Sequence, residues 1–167
     1  MASNDHPPIV KSIAWATEAD TQAFAAALAA KLQGSTAAGN LLIALHGDLG
    51  SGKTTLVRHL LKALGVEGRV KSPTYAVVEP YTVDDATGGA FNIWHFDFYR
   101  FNDPDEWEEA GFRDLFASVG LKLVEWPEKA GEHLPAADLD IALELQDGDA
   151  RAVTLSARSD AGAALLP

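Results

Sequence analysis

The sequence predicts an α/β protein: a three-layer sandwich around a mixed sheet whose central strands are parallel. Strand-like apolar segments alternate with helical segments through the middle of the chain, which is typical of parallel strands covered by helices on both faces. Hairpin-like pairs flank this region, so the sheet should be mixed. The 167 residues are 47% hydrophobic, which suits one compact domain with a single core.

The N-terminal part predicts a strand followed by a helix. Residues 9–15 alternate weakly between apolar and polar side chains, which favours a strand. Thr17 and Asp20 have capping-box-like spacing at the start of a helix that reaches about Gln33. Gly34 stands where a helix-ending glycine belongs.

A second strand, over residues 40–46, contains the buried-type run LLIAL. It continues into a glycine-rich loop and then a helix over about 53–64, which Gly65 ends. Two short helices are expected further on, over 103–110, with Pro104 at its first position, and over 112–117. The remaining strands are predicted over 76–83, 90–99, 121–125, 139–146 and 151–157. We expect residues 1–158 to form one domain and residues 159–167 to be a flexible tail.

The composition limits the classes of partner. The chain has 13 Lys and Arg against 24 Asp and Glu, and its net charge is −11. Proteins that bind nucleic acid directly use basic side chains to neutralise phosphates, so this chain should not grip RNA or DNA by itself. There is no cysteine, no apolar run long enough to span a bilayer and no signal-peptide pattern at the N-terminus. These features favour a cytoplasmic protein without a membrane partner.

Residues 47–54 read GDLGSGKT and match the pattern G-x-x-x-x-G-K-[ST] at every fixed position. An apolar strand precedes this phosphate-binding loop and a helix follows it. Glycine lets the backbone turn tightly and aim successive N–H groups at phosphate oxygens, and the helix N-terminus adds the positive end of its dipole. We therefore expect a P-loop NTPase-like fold that binds ATP with Mg²⁺ and releases ADP. The predicted nucleotide-binding residues of the loop are Gly47, Asp48, Leu49, Gly50, Ser51, Gly52, Lys53, Thr54 and Thr55.

Three side chains of the loop have separate predicted roles. Lys53 reaches the β- and γ-phosphates as a point charge. The Thr54 hydroxyl coordinates Mg²⁺, and Thr55 contacts the α-phosphate. The alternative is a glycine-rich turn with a solvated lysine, which the agreement of spacing and strand–loop–helix context disfavours.

A phosphate-binding loop needs a carboxylate near Mg²⁺, usually at the end of a buried parallel strand. Glu125 ends the strand LKLV, and Asp97 lies in HFDFYR near the end of another. Either could be a metal or water ligand. Glu125 could instead be a surface residue at a strand exit, and Asp97 a turn cap.

Other polar and aromatic residues near these strands are less informative. His95 is interpreted as a strand-end histidine rather than a catalytic base, and Trp126 and Tyr99 as packing residues in part. Residues 72–75 read SPTY, which is an ordinary turn signal. In many nucleotide hydrolases a threonine in this place, here Thr74, closes over the γ-phosphate as a switch.

Five segments together resemble one family, the TsaE (YjeE) ATPase subunit of bacterial tRNA threonylcarbamoyladenosine biosynthesis. The similarity covers roughly residues 9–158. The combination is specific, although the phosphate-binding loop alone is not. The segments are GDLGSGKTT (47–55), KSPTYAVVEPY (71–81), HFDFYR (95–100), EEAGFRDLF (108–116) and LVEWPE (123–128).

The resemblance implies a slow Mg²⁺-dependent ATPase. It also implies two partners, the threonylcarbamoyl transferase subunit and its non-catalytic paralogue, with tRNA reached only through that complex. The complex modifies N6 of adenosine 37 in tRNAs reading codons that begin with A. Hydrolysis by this subunit is thought to reset the complex between turnovers.

The family's motifs can be carried over residue by residue. By resemblance, Thr54 and Glu125 are the Mg²⁺ ligands, Asp97 supports hydrolysis, and Thr74 with Tyr75 belongs to the switch-like loop. Two further residues, Glu18 near the base and Arg151 near the nucleotide, rest on a looser alignment. Phe98 stands where the family commonly has leucine, an apolar-for-apolar change.

Two other functions are compatible with a phosphate-binding loop. A small-molecule kinase would usually carry an arginine-rich lid, whereas residues 103–111 read DPDEWEEAG and are acidic. A nucleotide-gated binding module without catalysis would not need both Asp97 and Glu125.

Overall fold

The computed structural model of the chain describes residues 7–34, 39–70, 77–84 and 88–167. In chain order, the strands β1–β7 are Ile9–Trp15, Asn40–His46, Val78–Asp84, Ala90–Asp97, Gly120–Glu125, Leu139–Leu145 and Arg151–Ala157. The helices α1–α5 are Glu18–Gly34, Lys53–Ala63, Asp105–Glu109, Phe112–Ala117 and Asp160–Ala163. A 3-10 helix, which the sequence did not predict, spans Pro127–His133.

The seven strands form one mixed sheet in the order β1-β7-β6-β2-β5-β4-β3. The four central strands, β6, β2, β5 and β4, are parallel, and β1, β7 and β3 pair antiparallel at the two sides. The predicted fold class is therefore confirmed. Because the carboxyl ends of parallel strands meet at one edge of a sheet, the loops after β2, β4 and β5 converge there.

Side chains of β2 alternate between two cores. Leu41, Ile43 and Leu45 pack in the core that includes α1 and α2, whereas Leu42 and Ala44 pack with an aromatic core on the other face. The helical layers on both faces explain why the central strands are apolar throughout. No helix in the described ranges is both long enough and apolar enough to cross a bilayer. The aromatic core contains Phe96, Phe98, Phe101, Trp107 and Phe116.

Helix α3 is shorter than predicted, and its start explains why. The sequence predicted a helix over 103–110, but the helix occupies Asp105–Glu109. The Glu106 carboxylate accepts the backbone N–H groups of Asn102 and Asp103, and the Asp103 carboxylate accepts that of Asp105. These side chains accept N–H groups that have no partner at the start of a helix, so residues 103 and 104 belong to the cap.

The C-terminal residues correct a sequence-based expectation. Residues 159–167 were expected to form a flexible tail, but they contain α5 and pack on the fold. Leu165 joins the core beside α1 and α2 and is 5% exposed. The Ser159 hydroxyl caps α5 by accepting the Gly162 N–H, and it donates to Asp138 at 2.7 Å. Lys31 donates to the Leu166 carbonyl, so this segment is tied to α1 as well.

Lys122 is a fully buried lysine in β5, one of the four central parallel strands. Its ammonium donates to the Asn40 side chain at 2.7 Å and to the Ser118 and Gly120 carbonyls. It also lies 5.2 Å from the centre of the Trp94 ring. Burial lowers the pKa of Lys122 to about 8, and the nearby Asp138 carboxylate opposes the shift.

This shift predicts how stability depends on pH. The unfolded chain keeps the lysine proton up to its ordinary pKa of 10.5, whereas the folded chain releases it near pH 8. Between these values the unfolded state binds more protons, so the free energy of unfolding should rise with pH, by up to about 3 kcal/mol. Urea denaturation of the parent and of Lys122→Met at pH 7.5 and pH 10 measures this contribution.

The parent should gain stability relative to Lys122→Met as the pH rises. Lys62→Met removes a charge at an exposed position of α2 and is the control. Its free energy of unfolding should change between the two pH values by as much as that of the parent. An equal change in the free energy of unfolding for the parent and Lys122→Met would contradict the prediction.

Candidate functional site

The glycine-rich loop leaves β2 at the edge where the parallel strands end, and it leads directly into α2. Gly47 has φ 145°, and a side chain there would place its Cβ 2.6 Å from the Leu143 carbonyl oxygen of the neighbouring strand. Gly52 has φ 106° at the N-cap of α2. Both positions therefore require glycine, one for close approach and one for backbone conformation.

Lys53 lies inside the loop with only 5% of its surface exposed. Its ammonium donates to the Gly47 carbonyl and, at 3.2 Å, to the Asp48 carbonyl, and it lies 4.1 Å from the centre of the Trp126 ring. Burial lowers the pKa of Lys53, while nearby carboxylates, Glu125 foremost, act in the opposite direction. The positive charge is thus held at the centre of the loop.

Thr54 and Glu125 are joined by a hydrogen bond. The Thr54 hydroxyl, in the first turn of α2, donates to Glu125 Oε1 at 2.8 Å. Glu125 is 2% exposed and ends β5, so it is a buried side chain of the site and not a surface residue at a strand exit. The two residues predicted as metal ligands are therefore adjacent.

Asp97 lies beside Glu125 because the two residues are paired in register across β4 and β5. Its carboxylate accepts the Tyr99 N–H at 3.0 Å, so it also has the turn-capping contact that was the alternative interpretation. Burial raises the pKa of Asp97, and the neighbouring Glu125 carboxylate raises it further. The site thus holds two carboxylates near one lysine.

A cavity of about 240 Å³ brings the predicted residues together. The loop residues 48–55 line it with Asp97, Glu125 and Arg151. The aromatic side chains of Tyr99 and Trp126 line it as well, with ring centres 5.0 Å apart. Sequence alone interpreted these two aromatic residues as packing residues in part, whereas both face the cavity.

A second cavity, of about 270 Å³, also borders the loop. Glu18, whose carboxylate is 3.7 Å from His59, lines this cavity. The residues that line both cavities are Ser51, Gly52, Thr55 and Arg151. Arg151 donates to the Ser51 carbonyl at 2.7 Å. The structure places Glu18 and Arg151 at the loop, and their contact with a nucleotide stays a prediction.

The residues present fit a nucleoside triphosphate with Mg²⁺. The Ser51 hydroxyl is buried in the loop without a hydrogen-bond partner in the protein. A buried polar group normally has a partner, and a phosphate or water oxygen would provide one here. In the described part of the chain no group of three His, Asp or Glu side chains could hold a metal alone. Mg²⁺ commonly binds through one or two protein oxygens together with phosphate and water. Thr54 and Glu125 could supply those oxygens.

Other predicted residues fall outside what the structure describes. Thr74 and Tyr75 of the switch-like segment, with Ser72 and Pro73, lie in the gap between residues 70 and 77. Their predicted role is not tested.

Two features of this site were not predicted from the sequence: the contact of His95 with Glu125 and the backbone conformation of Trp126. His95 is fully buried, and its Nε2 lies 2.6 Å from Glu125 Oε2. The alternation in HFDFYR puts His95 and Asp97 on one face of β4, and that signal could have linked them. Trp126 has φ 58°, the only non-glycine residue with positive φ in the described ranges. No sequence signal predicts such a conformation for tryptophan.

Comparison with known proteins identifies relatives over most of the chain. A model of the family described as threonylcarbamoyl adenosine biosynthesis protein TsaE matches residues 15–153. The chain is 43% identical over 122 residues to the tRNA threonylcarbamoyladenosine biosynthesis protein TsaE of Haemophilus influenzae, covering 73% of each chain. It is 33% identical over 150 residues to the protein of the same name from Bacillus subtilis, covering 89% of this chain and 87% of that relative.

The fold is also similar to a solved structure. The crystal structure of Bacillus subtilis YdiB superposes with a TM-score of 0.73 at 26% identity, covering 96% of this chain and 93% of that one. The family resemblance drawn from the five motifs is thereby confirmed. The match across residues 15–153 and the identity to the curated relatives show that this chain belongs to the TsaE family.

Proposed function

We propose that this protein binds ATP with Mg²⁺ and hydrolyses it slowly, in the service of threonylcarbamoylation of adenosine in tRNA. The observation that supports ATP hydrolysis best is the Thr54–Glu125 hydrogen bond next to Asp97 and the buried Lys53. These four side chains stand where a phosphate-binding loop, a metal and an attacking water are expected to meet.

Each group has one task in the proposed hydrolysis. The loop N–H groups and Lys53 hold the phosphates, and Thr54 and Glu125 hold Mg²⁺. When bound there, the metal would supply positive charge beside the phosphate oxygens. Asp97 accepts a hydrogen bond from the attacking water and orients it. Water adds to the γ-phosphorus as the bond to the leaving oxygen breaks, giving ADP and inorganic phosphate.

The partners that we propose are the threonylcarbamoyl transferase subunit and its non-catalytic paralogue, with the cytoplasm as the compartment. The supporting observations are membership of the TsaE family, whose relatives are named for tRNA threonylcarbamoyladenosine biosynthesis, and the net charge of −11. An acidic protein is repelled by bare tRNA but attracted to a basic protein surface. ATP hydrolysis then resets the complex between turnovers.

This proposal predicts that the lone chain binds tRNA weakly, whereas modification in the complete system depends on it. Few basic residues are available to release counterions from tRNA, and Lys53 is committed to the loop. Filter binding at near-physiological salt measures the first quantity. Mass spectrometry of nucleosides from cells depleted of the protein measures the second.

Two controls make the experiment decisive. Modification should return when the parent protein is supplied, but not when Lys53→Ala is supplied at the same level. Tight tRNA binding by the lone chain would contradict the charge argument. Normal modification in depleted cells would contradict the proposed function.

A further inference from the structure

The buried histidine of β4 contacts the proposed metal ligand directly. His95 Nε2 lies 2.6 Å from Glu125 Oε2, while the Thr54 hydroxyl donates to the other oxygen, Oε1, at 2.8 Å. His95 is 0% exposed and Glu125 is 2% exposed. The carboxylate is therefore held at both oxygens, from α2 on one side and from β4 on the other.

The hydrogen-bond partners assign the donor. An ionised carboxylate has only acceptor oxygens, so His95 Nε2 donates to Glu125. The other ring nitrogen, Nδ1, is buried without a hydrogen-bond partner. Within the described residues, the one hydrogen bond of the ring is therefore the contact of Nε2 with Glu125.

We propose that His95 is a positioning residue: it fixes the Glu125 carboxylate in the orientation that binds Mg²⁺ beside Thr54. The inference rests on the proposed function, and it extends the site to a residue without exposed surface. A glutamate side chain that is free to move loses rotamer freedom when it is immobilised by a metal. His95 and Thr54 meet this cost during folding, so the carboxylate is preorganised. Residues that orient a metal ligand typically change metal affinity or activity by about 10- to 100-fold when mutated.

The test measures how strongly nucleotide binding depends on Mg²⁺. The affinity for a fluorescent ATP analogue is measured with Mg²⁺ and with EDTA. The dissociation constant in EDTA divided by the dissociation constant with Mg²⁺ gives a ratio that isolates the metal contribution. His95→Leu should lower this ratio about tenfold or more and leave the affinity in EDTA within a few-fold of the parent. His95→Gln, whose amide can donate to Glu125, should recover part of the ratio.

The matched control is Phe96→Leu, which disturbs the adjacent buried residue on the opposite face of β4. It should destabilise the strand without changing the ratio. If His95→Leu does not fold, His95→Gln is compared with His95→Asn, because both bury an amide but only the longer side chain reaches Glu125. Equal ratios for these two variants and the parent would overturn the inference.

The same measurement in a Glu125→Ala background separates this inference from the proposed function. If His95 acts through Glu125, His95→Leu should cause no further loss in that background. A loss of equal size in both backgrounds would overturn the positioning role and leave the metal role of Glu125 standing. The positioning role would also be overturned if folded His95→Leu left the ratio unchanged while Glu125→Ala lowered it. If Glu125→Ala itself leaves the ratio unchanged, the metal role in the proposed function is wrong.

Discussion

Lys53→Ala is expected to weaken binding of Mg·ATP by about 10- to 100-fold, because a hydrogen bond to a charged group is worth about 1.5–3 kcal/mol. Lys53 is 5% exposed, and its ammonium contacts the Gly47 and Asp48 carbonyls and the Trp126 ring. In such a partly dry cradle, loss of the charge is poorly compensated by water. Titration with a fluorescent ATP analogue measures the change.

The fold should survive this substitution. Lys53 lines the cavity, and the carbonyls that it leaves can be hydrated there. Lys62→Ala removes the same charge from an exposed position of the same helix and is the matched control, with affinity expected within twofold of the parent. Circular dichroism establishes that both variants are folded. Parental affinity in a folded Lys53→Ala protein would contradict the assignment of the loop to phosphate binding.

The loop was predictable from sequence because its information is local. The glycines, Lys53 and Thr54 lie within nine consecutive residues, and the strand before them and the helix after them have clear patterns. The contact between Glu125 and Asp97 is different in kind. Each residue could be placed at a strand end, but their pairing depends on β4 and β5 being neighbours, which is a long-range property of the sheet.

Tertiary contacts also account for what the sequence did not predict. Residues 159–167 have no amphipathic period, and α5 is held by the Ser159–Asp138 bond and by burial of Leu165. The hydrogen bond from Arg151 to Ser51 joins residues 100 positions apart, so only the resemblance to a family pointed to it. The left-handed backbone of Trp126 is a local cost that the surrounding site must compensate.

Substitution of the two carboxylates is expected to lower ATP hydrolysis by about 100-fold while ATP affinity measured in EDTA changes only a few-fold, because such groups act mainly on charge that develops in the transition state. The loop backbone and Lys53 still hold the phosphates in these variants. Glu125→Gln keeps a group that can accept from His95 and contact Thr54 but removes the negative charge, so it tests the charge and not the packing. Asp97→Ala removes the acceptor proposed for the attacking water.

Hydrolysis and binding must be measured separately for this prediction, by single-turnover phosphate release and by titration with an ATP analogue. Glu125→Gln should also flatten the dependence of binding on Mg²⁺, whereas Asp97→Ala should keep most of it, because only Glu125 is paired with Thr54. Glu109→Ala, which removes an exposed carboxylate at the end of α3, is the control and should hydrolyse ATP at the parental rate. If Asp97→Ala and Glu125→Gln both hydrolyse ATP as fast as the parent, neither carboxylate has the role proposed for it. If their affinity in EDTA falls as much as the rate, they act in binding the ground state and the hydrolytic assignment is wrong.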